Sequence, residues 1–239
     1  MTRNPTPVPP VTAISRTAAR LSFAAAATFV VLLAVLHVLK PELDPSWRMI
    51  SEYAIGDYGW VMVLAFLSFA VSYVALFAAV RSQLPTVGGR IGLALLLASA
   101  AGLTIAAIFT TDPVTVSKDA ITTHGSLHNL GGMIGTSMPI AAALVSWRLA
   151  RNPAWSPARR SLLWTAGLVW IGLLVFYVSL GVMLSQNNGA FGPDVLVGWP
   201  GRFDTLVNGV WLMTVAWQAL RVSRPAVRPI ADAAPALTA

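Results

Sequence analysis

Long apolar runs separated by short polar segments dominate the pattern of this chain. Each of six runs is close to the roughly 20 residues that a helix needs to cross the hydrocarbon core of a bilayer. A helix is the expected spanning structure, because in lipid the backbone must satisfy its own hydrogen bonds. The predicted spans are Leu21–Leu39, Tyr58–Val80, Ile91–Phe109, Gly125–Leu149, Leu162–Leu184 and Phe203–Leu220.

The segments outside these runs complete the predicted domain plan. Residues 1–17 contain four prolines and no apolar period, which is typical of a disordered tail. The first run is longer than the roughly 7–15 apolar residues of a signal peptide, so we interpret it as a retained helix. The sequence therefore predicts an all-α membrane protein, with a six-transmembrane-helix bundle at 18–221 and a second disordered tail at 222–239.

Composition supports a membrane location. Of the 239 residues, 56% are hydrophobic and only 10% are charged, against about 25% charged in soluble domains. The mean hydropathy is +0.70. The absence of cysteine excludes disulfides, thiolate metal sites and a cysteine nucleophile. Most of the surface is thus expected to face the lipid bilayer.

The distribution of charge predicts the orientation. With the N-terminus inside, the cytoplasmic segments hold 12 of the 16 basic residues: Arg3, Arg16, Arg20, Arg81, Arg90, Arg148, Arg151, Arg159, Arg160, Arg221, Arg224 and Arg228. The external segments hold the other four and most acids: Lys40, Arg48, Lys118, Arg202, Glu42, Asp44, Glu52, Asp57, Asp112, Asp119, Asp194 and Asp204. Basic residues favour cytoplasmic loops, which predicts a multi-pass plasma-membrane protein with both termini in the cytoplasm. The net charge of +7 is explained in this way, and nucleic-acid binding is not expected.

Small residues repeat every four positions in the third and fourth runs. Such stripes let helix backbones approach closely, so we predict a tight hairpin between these two helices. Pro139 is expected to bend the fourth helix near mid-membrane. The two stripes are Ala94, Ala98, Gly102 and Ala106, and Gly131, Gly135, Pro139 and Ala143. The aromatic residues Trp60, Trp155, Trp164 and Trp199 are expected to anchor the chain at the membrane interfaces.

Distinctive polar residues gather at the predicted external ends of the helices. Asp204 and Asn208 lie at the start of the sixth run, close to Arg202, whose side chain could pair with an anion. Polar residues at such places often mark a functional site. The candidate site consists of Ser51, Glu52, Tyr53, Asp112, His128 and Arg202.

A metal site is one hypothesis for this cluster. His124 and His128 lie four residues apart, so both rings would share one helix face. With Asp112 they could form three ligands of an open zinc site, with water in the fourth position. His37 or Glu52 could complete the site or act as a base. The competing interpretation is structural: interfacial histidines and a carboxylate that ends a helix.

Short motifs in the right order resemble a bacterial membrane family catalogued as domain of unknown function 998. They cover roughly residues 20–220, and they are Ser51-Glu52-Tyr53-Ala54, Gly56, Gly59-Trp60, Phe109, Asp112-Pro113, Gly125-Ser126-Leu127-His128 and Arg202. The resemblance implies a six-helix bundle and supports Ser51, Tyr53, Asp112, His128 and Arg202 as site residues. It implies no activity.

A fainter set of residues is similar to that of the alkaline-ceramidase and adiponectin-receptor superfamily, seven-helix zinc hydrolases of lipid amides. Ser51, Asp112, His124 and His128 match its residue types. Here, however, the histidine pair opens the fourth of six helices rather than lying in the last of seven.

Three functions are compatible with these patterns. The first is an external polar pocket that binds a lipid headgroup, a small anionic ligand held by Arg202, or a partner protein. The second is a metal-dependent hydrolase of a lipid or envelope substrate, in which zinc activates water and Glu52 is the base. The third, a transporter, has the least support, because charged residues are almost absent from mid-membrane positions.

Overall fold

A computed structural model describes residues 14–223. The regular secondary structure of this part of the chain is entirely helical, with no strand. The helices are α1 (Arg16–Leu39), α2 (Gly59–Val80), α3 (Val87–Ile108), α4 (Thr123–Gly135), α5 (Met138–Ala150), α6 (Arg159–Gln186) and α7 (Gly198–Val222). Short 3-10 turns lie between several of them, including Ile50–Ala54. The predicted tails lie outside the described residues except at 14–17, where α1 already begins at Arg16, and at 222–223, where α7 ends at Val222.

Five helical segments are long and apolar enough to cross a membrane: α1, α2, α3, α4 together with α5, and α6. This establishes a multi-pass helical membrane protein. The sixth predicted span corresponds to α7, whose 25 residues would extend about 37 Å. Its first turns carry Arg202, Asp204 and Asn208, which make it the most polar of the long helices.

The helices pack as antiparallel neighbours around an apolar centre. α1 packs on α2 and α7, α3 on α2, α4 and α5, and α6 on α5 and α7. Between α1 and α2 the Phe29 and Phe69 rings stack with centroids 4.1 Å apart. The Trp211 indole of α7 donates to the Ser146 hydroxyl of α5 over 2.8 Å. This hydrogen bond joins the middle of α7 to α5 inside the bundle.

The fourth span is interrupted where the sequence predicts a bend. α4 ends at Gly135, α5 begins at Met138, and Pro139 lies in the first turn of α5. The Thr136 hydroxyl donates to the Met133 carbonyl over 2.6 Å. The Ser137 and Ser99 hydroxyls lie 3.0 Å apart, which attaches the interruption to α3. The polar groups of this break therefore have partners within the bundle.

The predicted α3–α4 hairpin is confirmed. A Cβ placed on Gly131 would lie 2.6 Å from the Gly102 carbonyl oxygen and 2.9 Å from the Ala106 nitrogen. The backbones thus touch where neither residue has a side chain. The contact is shorter than the predicted stripe, because Ala94 is exposed and a Cβ on Gly135 would meet nothing within 4 Å.

Charge separates the two ends of the bundle. The basic end contains the turns between α2 and α3 and between α5 and α6, and the acidic end contains the segments 40–58, 109–122 and 187–197. Trp60, Trp164 and Trp199 are exposed, as expected of interfacial residues. The prediction for Trp155 was wrong: it is 0% exposed, and its indole donates to Gln83 over 3.3 Å. This hydrogen bond connects the turn between α5 and α6 to the turn between α2 and α3 at the basic end.

Candidate functional site

The first loop of the acidic end folds back on the helix ends. The buried Lys40 ammonium donates to the Ile55 carbonyl, which closes the loop. Gly56 has a φ of +69°, a conformation that glycine adopts at little cost. The Gly198 amide, at the start of α7, donates to the Ser46 carbonyl over 2.9 Å. The Ser46 amide in turn lowers the pKa of the exposed Asp44 carboxyl by donating a hydrogen bond to it.

Arg202 lies at the centre of this end and is 2% exposed. Its Nε donates to His37 Nε2 over 2.8 Å, and one terminal nitrogen donates to the Tyr53 hydroxyl over 3.1 Å. The other donates to the carbonyls of Arg48, over 2.8 Å, and Gly198, over 3.1 Å. We call Arg202, His37 and Tyr53 with these two carbonyls the Arg202 cluster. It joins α1, the first loop and α7.

The Arg202 cluster has a defined protonation pattern. Because arginine can only donate, His37 Nε2 must accept. The proton of the imidazole then lies on Nδ1, which donates to the Leu33 carbonyl over 2.7 Å. Arg202 forms no ion pair with Asp204 or any other described acid, and it does not line the cavity described below. Its position supports a structural role rather than the expected contact with an anionic ligand.

Glu52 is buried and connects two loops. One carboxylate oxygen accepts from the Arg48 guanidinium over 2.8 Å and from the Val114 amide over 3.0 Å. The other accepts from the Met49 amide over 2.9 Å. Val114 lies in the segment after α3, so Glu52 fixes that segment against the first loop. Because the carboxylate accepts hydrogen bonds from three donors, it has a structural role and is not available as a base.

Asp112 caps the N-terminus of α4. Its two oxygens accept from the Thr122 amide over 2.8 Å and from the Thr122 hydroxyl over 2.9 Å. The carboxylate lies so close to Gly125 that no side chain would fit there. Negative charge at a helix N-terminus is favourable, which explains the position without a metal.

The two histidines of α4 have different environments. His124 is exposed, with its ring edge-on to Phe109 at 5.5 Å. His128 is buried, and its Nδ1 donates to the carbonyls of Ala106 and Phe109 at 3.0 and 2.9 Å. These carbonyls belong to the last turn of α3, where the helix leaves them unpaired. His128 Nε2 has no hydrogen-bond partner in the described part of the chain and belongs to the cavity wall.

The predicted zinc ligands are therefore not assembled. Within residues 14–223, no three His, Asp or Glu side chains are placed to hold a metal ion. Asp112 faces the start of α4, His124 is exposed at the surface, and His128 binds backbone carbonyls. Ser51, the remaining candidate, lies in the 3-10 turn and also lines the cavity.

A cavity of about 900 Å³ runs from the acidic end into the bundle. Its lining comes from all seven helices, from the first loop and from the segments after α3 and α6. Met133 of α4 and Tyr177 of α6 both line it and are 70% and 47% exposed. α4 and α6 are not among the helix pairs that pack on each other, so we interpret the gap between them as a side opening of the cavity, which also lies beneath the loops of the acidic end.

The sequence-based candidate list omitted the most unusual polar residues of this cavity. Asp204 and Asn208 lie one turn apart on α7, and both line the wall. The available signal was two polar residues inside an otherwise apolar run, since such residues in a span commonly face the bundle interior. Tyr73 of α2 also lines the cavity, but its aromatic ring made it indistinguishable in the sequence from ordinary core.

The fold defines a multi-pass helical membrane protein, and its helices surround a cavity. The chain belongs to the family described as protein of unknown function, DUF998, whose model matches residues 23–218. The match covers all seven helices apart from the outermost turns of α1 and α7, as the sequence resemblance implied. No curated protein and no solved structure gives a significant match to the chain.

Proposed function

We propose that this protein is a six-span membrane protein whose cavity binds an amphiphile, either a membrane lipid or a lipid-like small molecule. The side opening between α4 and α6 carries this proposal, because it would place the cavity in contact with the bilayer. A volume of about 900 Å³ is also within the usual range of roughly 300–1,000 Å³ for small-molecule sites.

The lining supports an amphiphile rather than a wholly polar ligand. Phe66, Phe69 and Phe176 form apolar wall, while Asp204 and His128 add polar groups at particular points. A few placed polar groups in an apolar cavity are typical of sites that orient one end of a ligand. An alkyl chain could leave through the side opening into the surrounding lipid.

Filling the cavity should prevent this binding. Gly135 lines the cavity, and a Cβ there would meet nothing within 4 Å, so Gly135→Leu should project into open space without displacing a helix. We expect a lipid that co-purifies with the wild type to be lost from this variant, as measured by native mass spectrometry from mild detergent.

Gly167→Leu is the matched control. Gly167 is also helical and unobstructed, but it lies on α6 away from the cavity. This variant should retain the lipid. Equal retention by both leucine variants would show that the lipid binds elsewhere and would contradict the proposal.

The transmembrane topology can be tested with single-cysteine variants, because the sequence contains no cysteine. We propose six crossings with the basic end in the cytoplasm, on the basis of the charge separation. A membrane-impermeant maleimide added to intact cells should label Asp194→Cys but not Ser156→Cys or Ser223→Cys. All three should react after permeabilisation.

The pair at residues 194 and 223 tests α7 directly, because the two positions flank that helix. Labelling of both from outside, or of neither, would mean that α7 does not cross. Labelling of Ser156→Cys and Ser223→Cys, but not of Asp194→Cys, would mean that the orientation is reversed.

A further inference from the structure

Asp204 is the one carboxylate among the cavity-lining residues without a compensating group in the described structure. Neither of its side-chain oxygens accepts a hydrogen bond within residues 14–223, and it forms no ion pair there. Its Oδ1 is buried beside α6, 3.2 Å from where a Cβ on Gly172 would lie. The other acids of the lining differ: Glu52 pairs with Arg48, and Asp112 binds Thr122.

Asn208 repeats this situation one turn further along α7. Its Nδ2 donates to the Asp204 backbone carbonyl over 2.9 Å, which leaves the side-chain oxygen as an acceptor. That Oδ1 is also buried without a partner in the described chain. Two residues one turn apart on the cavity wall therefore each carry a buried acceptor without a donor, and unpaired buried acceptors are costly.

The missing donor is best supplied by a cation. A buried carboxylate is stabilised by a positive charge or by protonation. Protonation would remove the charge of Asp204, but it would supply only one donor, so one of the two side-chain oxygens would remain unpaired. A bare metal ion usually takes six or more oxygen ligands when it is of the hard type. The acceptors of Asp204 and Asn208 are too few for such a coordination shell, and they match the few N–H donors of a nitrogen cation better.

The neighbouring walls also suit a cation. Tyr73, Tyr177 and Phe176 line the cavity together with Asp204. Aromatic faces attract ammonium groups, the more strongly where water is excluded. The only lysine of the lining, Lys118, is in the loop before α4 rather than on α7.

We propose that Asp204 and Asn208 bind the primary ammonium group of the cavity's ligand. This inference rests on the proposed binding of an amphiphile and specifies its head. The three N–H donors of the ammonium would pair with the carboxylate, with the Asn208 oxygen and with one further acceptor. The ligand is either an aminolipid of the bilayer or a soluble amine with an apolar part.

Octylammonium and 1-octanol form a matched pair of probes that differ in the head group. In a nonionic detergent, octylammonium should raise the melting temperature of the wild type, with an apparent affinity about tenfold or more above that of octanol. Asp204→Asn keeps the shape but removes the charge, and should lose this preference. Asp57→Asn, a change at an exposed acid outside the cavity, should keep it.

Asp204→Glu guards against a folding defect in the first variant, because it retains the charge and should retain the preference in part. Equal responses of the wild type to both probes, or an unchanged preference in Asp204→Asn, would overturn the inference. If Gly135→Leu then still abolished both responses, the amphiphile site itself would stand without its ammonium specificity.

Nanodiscs that contain equal amounts of phosphatidylethanolamine and phosphatidylcholine distinguish a bilayer aminolipid from a soluble amine as the ligand. Selective retention of phosphatidylethanolamine by the wild type and not by Asp204→Asn would identify a bilayer aminolipid. Asp204-dependent binding of octylammonium without such selectivity would identify a soluble amine. Both results support the ammonium site.

Discussion

Replacing Arg202 with methionine should be among the most damaging single substitutions in this protein. Methionine has a similar length but cannot donate, so His37 Nε2, the Tyr53 hydroxyl and two carbonyls would lose their donors together. Each unsatisfied buried group costs about 1–3 kcal/mol, and we expect a total of at least about 3 kcal/mol. Thermal unfolding in detergent, followed by tryptophan fluorescence, should show a melting temperature lower by roughly 6–12 °C.

Two further variants make this result interpretable. Arg160→Met removes an exposed arginine at the start of α6 and should melt with the wild type. Arg202→Lys should remain well below the wild type, because an ammonium group cannot reproduce the planar fork that serves four acceptors. Normal melting of Arg202→Met would show that the Arg202 cluster does not hold the acidic end together.

Adding a single methyl group to Gly131 should have the second largest effect. The new Cβ of Gly131→Ala would lie 2.6 Å from the Gly102 carbonyl oxygen, so α3 and α4 would have to separate. Overpacking of this kind costs about 1–3 kcal/mol, and here the obstacle is backbone that cannot rotate away. Reversible unfolding measured by denaturant titration should report the loss.

The adjacent residue provides an unusually close control. A Cβ on Gly132 would meet nothing within 4 Å, although this glycine belongs to the same helix. Gly132→Ala should therefore stabilise the protein by about 0.5–1 kcal/mol, through the better helix propensity of alanine. If both alanine variants changed stability in the same direction, the α3–α4 backbone contact would not be the tight one described here.

Much of the fold follows from the sequence because the bilayer imposes simple rules. Apolar run length placed the spans within a few residues, and the small residues Gly102 and Gly131 predicted the contact between α3 and α4. Pro139 marked the fourth span as irregular, but it predicted a bend rather than two separate helices. The position of the break depends on Ser137 and Ser99, whose contact joins residues far apart in the chain.

The site was less predictable because side-chain chemistry alone does not reveal partners. Arg202 suggested an anion site, yet its donors are taken up in part by His37 and by the Arg48 carbonyl, which both lie more than 150 residues away in the chain. Asp112 and His128 had metal-ligand chemistry, but unpaired helix termini use the same chemistry. Asp204 was the opposite case: it lies beside Arg202 in the sequence, and only the three-dimensional arrangement revealed that its carboxylate has no partner in the described part of the chain.

The glycine content of α4 has a consequence for how a ligand reaches the cavity. Four of its 13 residues are glycine, and each lowers intrinsic helix stability by about 1 kcal/mol relative to alanine. α4 packs mainly on α3 and is separated from α5 by the interruption at Thr136 and Ser137. The helix with the largest share of glycine thus lies beside the proposed side opening. Fraying of α4 would widen this opening while the remaining helices stay in place.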